Sequence, residues 1–141
     1  MYLDSAYIAK FYVNEPDADR VRALIRRADA LVSSAWCLSE VACVLHRHLR
    51  EGSLNVAQAR ALAEAFREHV DTGFWNLAPV SDRLLRRMNL LVSAVPRDVY
   101  IRAGDAAHLV TAQDLGEAEI WTNDRHLLAA ARHFGLAGRS A

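Results

Sequence analysis

The chain has 141 residues, a length suited to one domain with a substantial core. Its 17 basic and 17 acidic residues give zero net charge, which excludes nucleic-acid binding through bulk positive charge but not local handling of RNA. No segment approaches the ~20 apolar residues that span a bilayer, and Met1-Tyr2-Leu3-Asp4 lacks a signal peptide's features, so a cytoplasmic protein without membrane contact is expected.

Taken in chain order, the hydrophobic periodicity predicts alternating strands and helices. A short strand, Tyr2-Leu3, runs into Asp4, and a helix follows from Ser5 to Tyr12. Glu15-Pro16-Asp17 breaks it and starts a second helix reaching about Arg27. Ala30 to Ser33 reads as the next strand, and a helix from Ala35 to Arg50 aligns Cys37, Val41, Val44, Leu45 and His48 on one face. Asn55 caps a long helix from Val56 to about Val70, with Gly73 closing it. Trp75 to Val80 is a candidate strand, and Ser81 caps a helix that Pro96 stops. Ala103-Gly104-Asp105 opens a helix to about Leu115, Glu119 to Thr122 is a strand, and Leu127 to Phe134 is the last long helix.

This alternation predicts an α/β fold: one domain over residues 1–141, with helices on both faces of a mostly parallel sheet of four to five strands. Cys37 and Cys43 fall on one predicted helix with Cα atoms about 9 Å apart, too far for a disulfide. Both are expected to pack into the core.

Ligands of an open parallel sheet bind beyond the carboxyl ends of its strands. Asp4 and Asp124 directly follow predicted strands, Asp105 opens a helix after a small turn, and Glu40 lies early in the helix after the second strand. Each acid alone has a purely structural reading: Asp105 or Asp124 as a helix cap, Glu40 as a solvated helix residue. Asp4 fits that reading least, because Ser5 is an equally good cap. Together the four are expected to converge, to repel one another without a cation, and to bind Mg²⁺ or Mn²⁺ through hard oxygen ligands. On that expectation, Asp105→Asn stabilises the metal-free protein. Such a site suits phosphodiester hydrolysis, with a cation activating water.

At these residues the chain resembles the PIN-domain ribonucleases, and most closely the VapC-type toxins of toxin–antitoxin pairs. Leu3-Asp4-Ser5 with Lys10 and Tyr12, then Ser39-Glu40-Val41, Gly104-Asp105-Ala106-Ala107-His108, and Thr122-Asn123-Asp124 carry the likeness in the family's order. The resemblance implies a PIN-like three-layer α/β/α fold and a Mg²⁺- or Mn²⁺-dependent endoribonuclease. It further implies a cognate antitoxin as inhibitor and a homodimer. Asp4, Glu40, Asp105 and Asp124 match the acidic quartet as catalytic and metal-holding residues, with Ser5, Thr122 and Asn123 as supporting polar groups.

His108 and His126 lie close to acids but read more readily as packed or solvated residues. The tryptophans Trp36, Trp75 and Trp121 read as core, with Trp36 also placed to stack a base. Arg83, Arg86 and Arg87 form a basic helical face, with Arg97 and Arg102 nearby; it reads as solvated or as an RNA or antitoxin surface. A phospho-acceptor receiver domain does not fit, since that chemistry wants adjacent acids and a late lysine, and Lys10 is the sole lysine. The alternatives that remain are a PIN-domain RNA-processing nuclease without an antitoxin and an inactive PIN-like RNA-binding domain.

Overall fold

The structure is a computed structural model describing residues 1–141. Its layering starts within the first strand, β1 (Tyr2–Leu3). Successive strand side chains point to opposite faces of a sheet. Tyr2 accordingly enters one hydrophobic core and Leu3 the other. The same split recurs in β4 (Glu119–Trp121), where Ile120 joins the core of Tyr2 and Trp121 packs against that of Leu3.

The Leu3 face is covered by α1 (Ser5–Tyr12), α2 (Ala18–Ile25), α3 (Cys37–Arg50) and α4 (Val56–Asp71), which contribute Tyr7, Val21, Val41 and Phe66 among others. The Tyr2 face is covered by α5 (Asp82–Ser93), α6 (Ala103–Asp114) and α7 (Arg125–Ala131), contributing Leu84, Leu109 and Leu127. With β2 (Val32–Ser34), β3 (Asn76–Ala78) and β5 (Ala137–Arg139), the sheet has five strands in the order β3-β2-β1-β4-β5. All four pairings are parallel. The three-layer α/β/α expectation holds. No helix is long and apolar enough to cross a membrane.

Local chemistry set several element boundaries. Asn55 and Gln58 form a reciprocal capping box at the start of α4, each side chain accepting from the other's backbone N–H, at 2.8 and 2.9 Å. Ser81 Oγ accepts from Leu84 N at 3.1 Å and starts α5. Gly73 adopts φ +76° after α4, a left-handed conformation that glycine takes without steric cost.

Three expectations need correction. The strand drawn from Trp75 to Val80 shrinks to Asn76–Ala78. Trp75 instead still donates its backbone N–H to His69 in α4, while its buried indole donates to Tyr12 Oη at 2.6 Å. Cys43 is exposed, because only Cys37 lies on the buried stripe of α3. The last strand, β5, follows a 3₁₀ turn over Arg132–Phe134 and was not anticipated from its composition. Its central Gly138 lets α7 approach closely: a Cβ there would lie 2.9 Å from Leu128 Cδ2 and 3.0 Å from the Leu128 carbonyl oxygen.

Candidate active site

From the central β1, one run of the sheet continues to β2 and β3 and the other to β4 and β5. The crevice at the carboxyl ends of β1 and β4 is therefore the place where a doubly wound sheet opens to a ligand. Asp4 sits there, its N–H extending the ladder to the Trp121 carbonyl at 3.1 Å. A cavity of about 290 Å³ at this edge is lined by Asp4, Glu40, Asp105 and Asp124, together with Ser5, Arg102 and His108. Four acids separated by most of the chain thus share one opening.

Asp4 is the N-cap of α1, with Oδ1 accepting from Tyr7 N at 2.9 Å. That role was open to Ser5 by sequence; with Asp4 taking it, Ser5 Oγ is free to donate to Glu40 Oε2 at 2.6 Å. Asp4 Oδ2 accepts from Thr122 Oγ1 at 2.5 Å, and Thr122 Oγ1 accepts from Asp124 N at 2.9 Å. One hydroxyl therefore ties the acid after β1 to the acid after β4. Burial pushes the Asp4 carboxyl above its ordinary range, against the opposing hydrogen bonds of Thr122 and Tyr7.

Glu40 is half-buried rather than a solvated helix residue. Its Oε2 lies 3.0 Å from His108 Nε2, which also contacts Ser5 Oγ at 2.9 Å, while His108 Nδ1 meets Tyr2 Oη at 3.0 Å. With Nε2 protonated, an assignment made from these partners, Nε2–H is shared by Ser5 and Glu40, and Nδ1 pairs with the Tyr2 hydroxyl. Burial pushes Glu40 upward, but the hydrogen bonds of His108 and Ser5, with lesser help from Trp36, outweigh it and hold the carboxyl below its ordinary value.

Asp105 is the third residue of α6 and not its cap. Arg102 holds the cap position, and Asp105 Oδ2 accepts from the Arg102 backbone N–H and from its Nε, each at 2.9 Å. Arg102 Nη2 also donates to Asp105 Oδ1 at 2.9 Å and to Asp124 Oδ2 at 2.5 Å. Asp124 caps α7 by accepting from His126 N and Leu127 N on Oδ1. Burial raises the Asp124 carboxyl, yet those N–H groups and Arg102 together hold it below its ordinary value. The expectation that the uncomplexed acids simply repel is therefore revised: Asp105 and Asp124 share a guanidinium.

The small turn before Asp105 leaves room at Gly104 that two side chains fill. A Cβ at Gly104 would collide with Glu40 Oε1 and lie 3.3 Å from Trp36 Nε1. Asn123 turns away from the cavity, its Oδ1 accepting from Tyr7 Oη and Ser140 Oγ. Trp36 and Trp121 are half-buried and Trp75 is core. His126 packs against Tyr100 with ring centroids 4.5 Å apart and the rings tilted by 47°. The basic face is compensated in part: Arg86 pairs with Asp82 and Arg87 with Asp114, while Arg83 and Arg97 make no ion pair. Two residues enter the site in roles the sequence does not assign them: Arg102, whose spacing of three before Asp105 is the available signal, and His108, which reads from sequence more readily as packed.

The donors suit a hard divalent cation: carboxylate and hydroxyl oxygens with no thiol among the lining residues. No three His, Cys, Asp or Glu side chains stand ready as a ligand set for one ion, because the carboxylates are turned onto Thr122, Ser5, His108 and Arg102.

This parallel sheet with acids gathered at its switch point places the chain in the PIN-domain family, whose profile matches residues 1–133. Ribonuclease VapC46 of Mycobacterium tuberculosis is 36% identical over 140 residues, covering 97% of this chain and 94% of that relative. Solved structures share the fold at low identity. VapC20 of Mycobacterium tuberculosis, a sarcin-ricin-loop-cleaving toxin, superposes with a TM-score of 0.71 at 16% identity, covering 92% of this chain and 93% of its own. FitAcB of Neisseria gonorrhoeae gives 0.70 at 17% identity, covering 97% and 94%.

Proposed function

We propose that this chain, acting as a single nuclease domain, is a divalent-metal-dependent endoribonuclease and the toxin of a toxin–antitoxin pair. The observation that carries the reading is the lining of one cavity by Asp4, Glu40, Asp105 and Asp124, from four separate parts of the chain. The relative named a ribonuclease, alike over nearly the full length, supports the choice of RNA.

On this reading the four acids are the catalytic residues and would hold Mg²⁺ or Mn²⁺. The bound cation would supply a lowered pKa for water and charge neutralisation at the phosphodiester. Thr122 fixes Asp4 and the Asp124 backbone relative to each other, and Ser5 with His108 orients Glu40. Asn123 supports the site indirectly, holding the turn after β4 to Tyr7 and Ser140. The partners are an RNA substrate, a cognate antitoxin and a second copy of the chain, all in the cytoplasm.

Cleavage of total RNA tests the activity. The wild type is expected to cut with Mg²⁺ and not with EDTA, and Asp4→Asn is expected to lose cleavage while keeping a native circular-dichroism spectrum. Cleavage in EDTA, or an Asp4→Asn variant as active as wild type, refutes the metal-site reading. A wild type that binds RNA without cutting it moves the assignment to an inactive RNA-binding domain.

A further inference from the structure

Arg102 lies where a cation belongs. Its fork is bidentate on Asp105 and extends to Asp124, which belongs to the start of a different helix. The two acids face inward, with side chains 8% and 26% exposed, whereas the Arg102 side chain is 51% exposed. The bidentate geometry marks a strong pair, but the half-exposed arginine is held by these carboxylates rather than locked by packing, so a competing cation at the acids would free it. A place to go also exists. Arg102 lines a second cavity, of about 410 Å³, with Leu85, Met88, Val92, Ile101 and Ala106 of the α5–α6 surface. The aliphatic stem of an arginine lies well on apolar surface while its head stays in water.

We propose that Arg102 is a resident counter-cation that a divalent metal must displace: its guanidinium holds the charge position between Asp105 and Asp124, and metal entry swings it toward the α5–α6 cavity. The inference rests on the divalent-metal reading of this site. It accounts for a gathering of acids that does not form a ready ligand set, since two of them are already committed to an internal cation. It also assigns the exposed arginine a function distinct from a surface ion pair: competition with the cofactor.

Calorimetric titration with Mg²⁺ of the metal-free wild type, Arg102→Met and Arg102→Lys tests it. Arg102→Met keeps the stem and removes the competing charge, so it is expected to bind Mg²⁺ about tenfold more tightly than wild type, equivalent to about 1.4 kcal/mol. Arg102→Lys retains a competing cation and is expected to stay near wild type. In wild-type protein, the Arg102 Nε–H nitrogen resonance should be sharp without metal and should broaden by water exchange on Mg²⁺ addition. Equal or weaker Mg²⁺ binding by Arg102→Met, which would mean that the arginine orients the acids for the metal, overturns the proposal. So does an Nε–H resonance that saturating Mg²⁺ leaves unchanged. If neither wild type nor variants bind Mg²⁺ or Mn²⁺, the metal-site reading itself fails and the proposal falls with it.

Discussion

Asp4 and Asp124 present the same carboxylate to one cavity, yet their surroundings push them in opposite directions. Asp4 is raised by burial, so its protonated form is favoured by folding. Its stabilising contribution is complete below the ordinary aspartate value of 3.8 and is lost as pH rises through the higher folded value. Asp4→Asn imitates the neutral form, keeps the acceptor for Tyr7, and is expected to raise Tm at pH 7, with the gain vanishing below that value. Asp124 is held down by backbone N–H groups and Arg102. Its stabilisation is present above 3.8 and lost as pH falls through the lower folded value. Asn caps a helix about as well as Asp, so Asp124→Asn isolates the charge and is expected to lower Tm at pH 7. The loss should shrink at high salt, which screens the half-exposed partner. Melting curves at pH 3 to 7 check both signs; two shifts in the same direction contradict the contrast between these sites.

At the scale of elements, the decisive contact is α3 against the first turn of α6. The absence of a side chain at Gly104 lets Glu40 and the Trp36 indole come in beside α6. Glu40 cannot yield freely, because Ser5 and His108 hold its Oε2. Gly104→Ala should therefore displace Glu40 while adding helix propensity of about 1 kcal/mol. Expected is a Tm within a few degrees of wild type and a cleavage rate lower by about tenfold or more, since small misplacements of catalytic groups are costly. Unchanged cleavage would show that Glu40 need not occupy this position. A parallel close approach, Gly138 under α7, fixes β5 at the far edge of the sheet, where Thr122 N donates to the Arg139 carbonyl at 2.9 Å beside the site.

For the whole molecule, the net charge is zero, and Arg86, Arg87 and Arg102 each pair with an acid inside the chain. Expression of the wild type alone is expected to arrest growth, Asp4→Asn is expected not to, and co-expression with the adjacent gene's product should restore growth through a stable complex. Growth counts and co-purification read the outcome. An active but harmless wild type, with no complex formed, favours an RNA-processing nuclease without an antitoxin.

The sequence alone determined the α/β alternation, the cap at Asn55, the breaks at Asp17 and Gly73, and the expectation that four acids converge, which share one cavity. These features depend on residues within a few positions of one another or on the order of motifs along the chain. The boundary of β3, the exposure of Cys43, the strand β5 and the wiring of the site were decided only in three dimensions. Tyr2 reaches His108 across 106 positions, Ser5 reaches Glu40 across 35, and Arg102 reaches Asp124 across 22. No local pattern encodes such pairs. β5 was hidden for a related reason: its glycine is unfavourable in an isolated strand and is suitable only because the backbone of α7 lies against it. Asp4 and Asp105 show the same division of information. Their chemistry was legible as carboxylates, but the exchange of capping roles with Ser5 and Arg102 followed from which neighbour the tertiary fold brought within hydrogen-bonding reach.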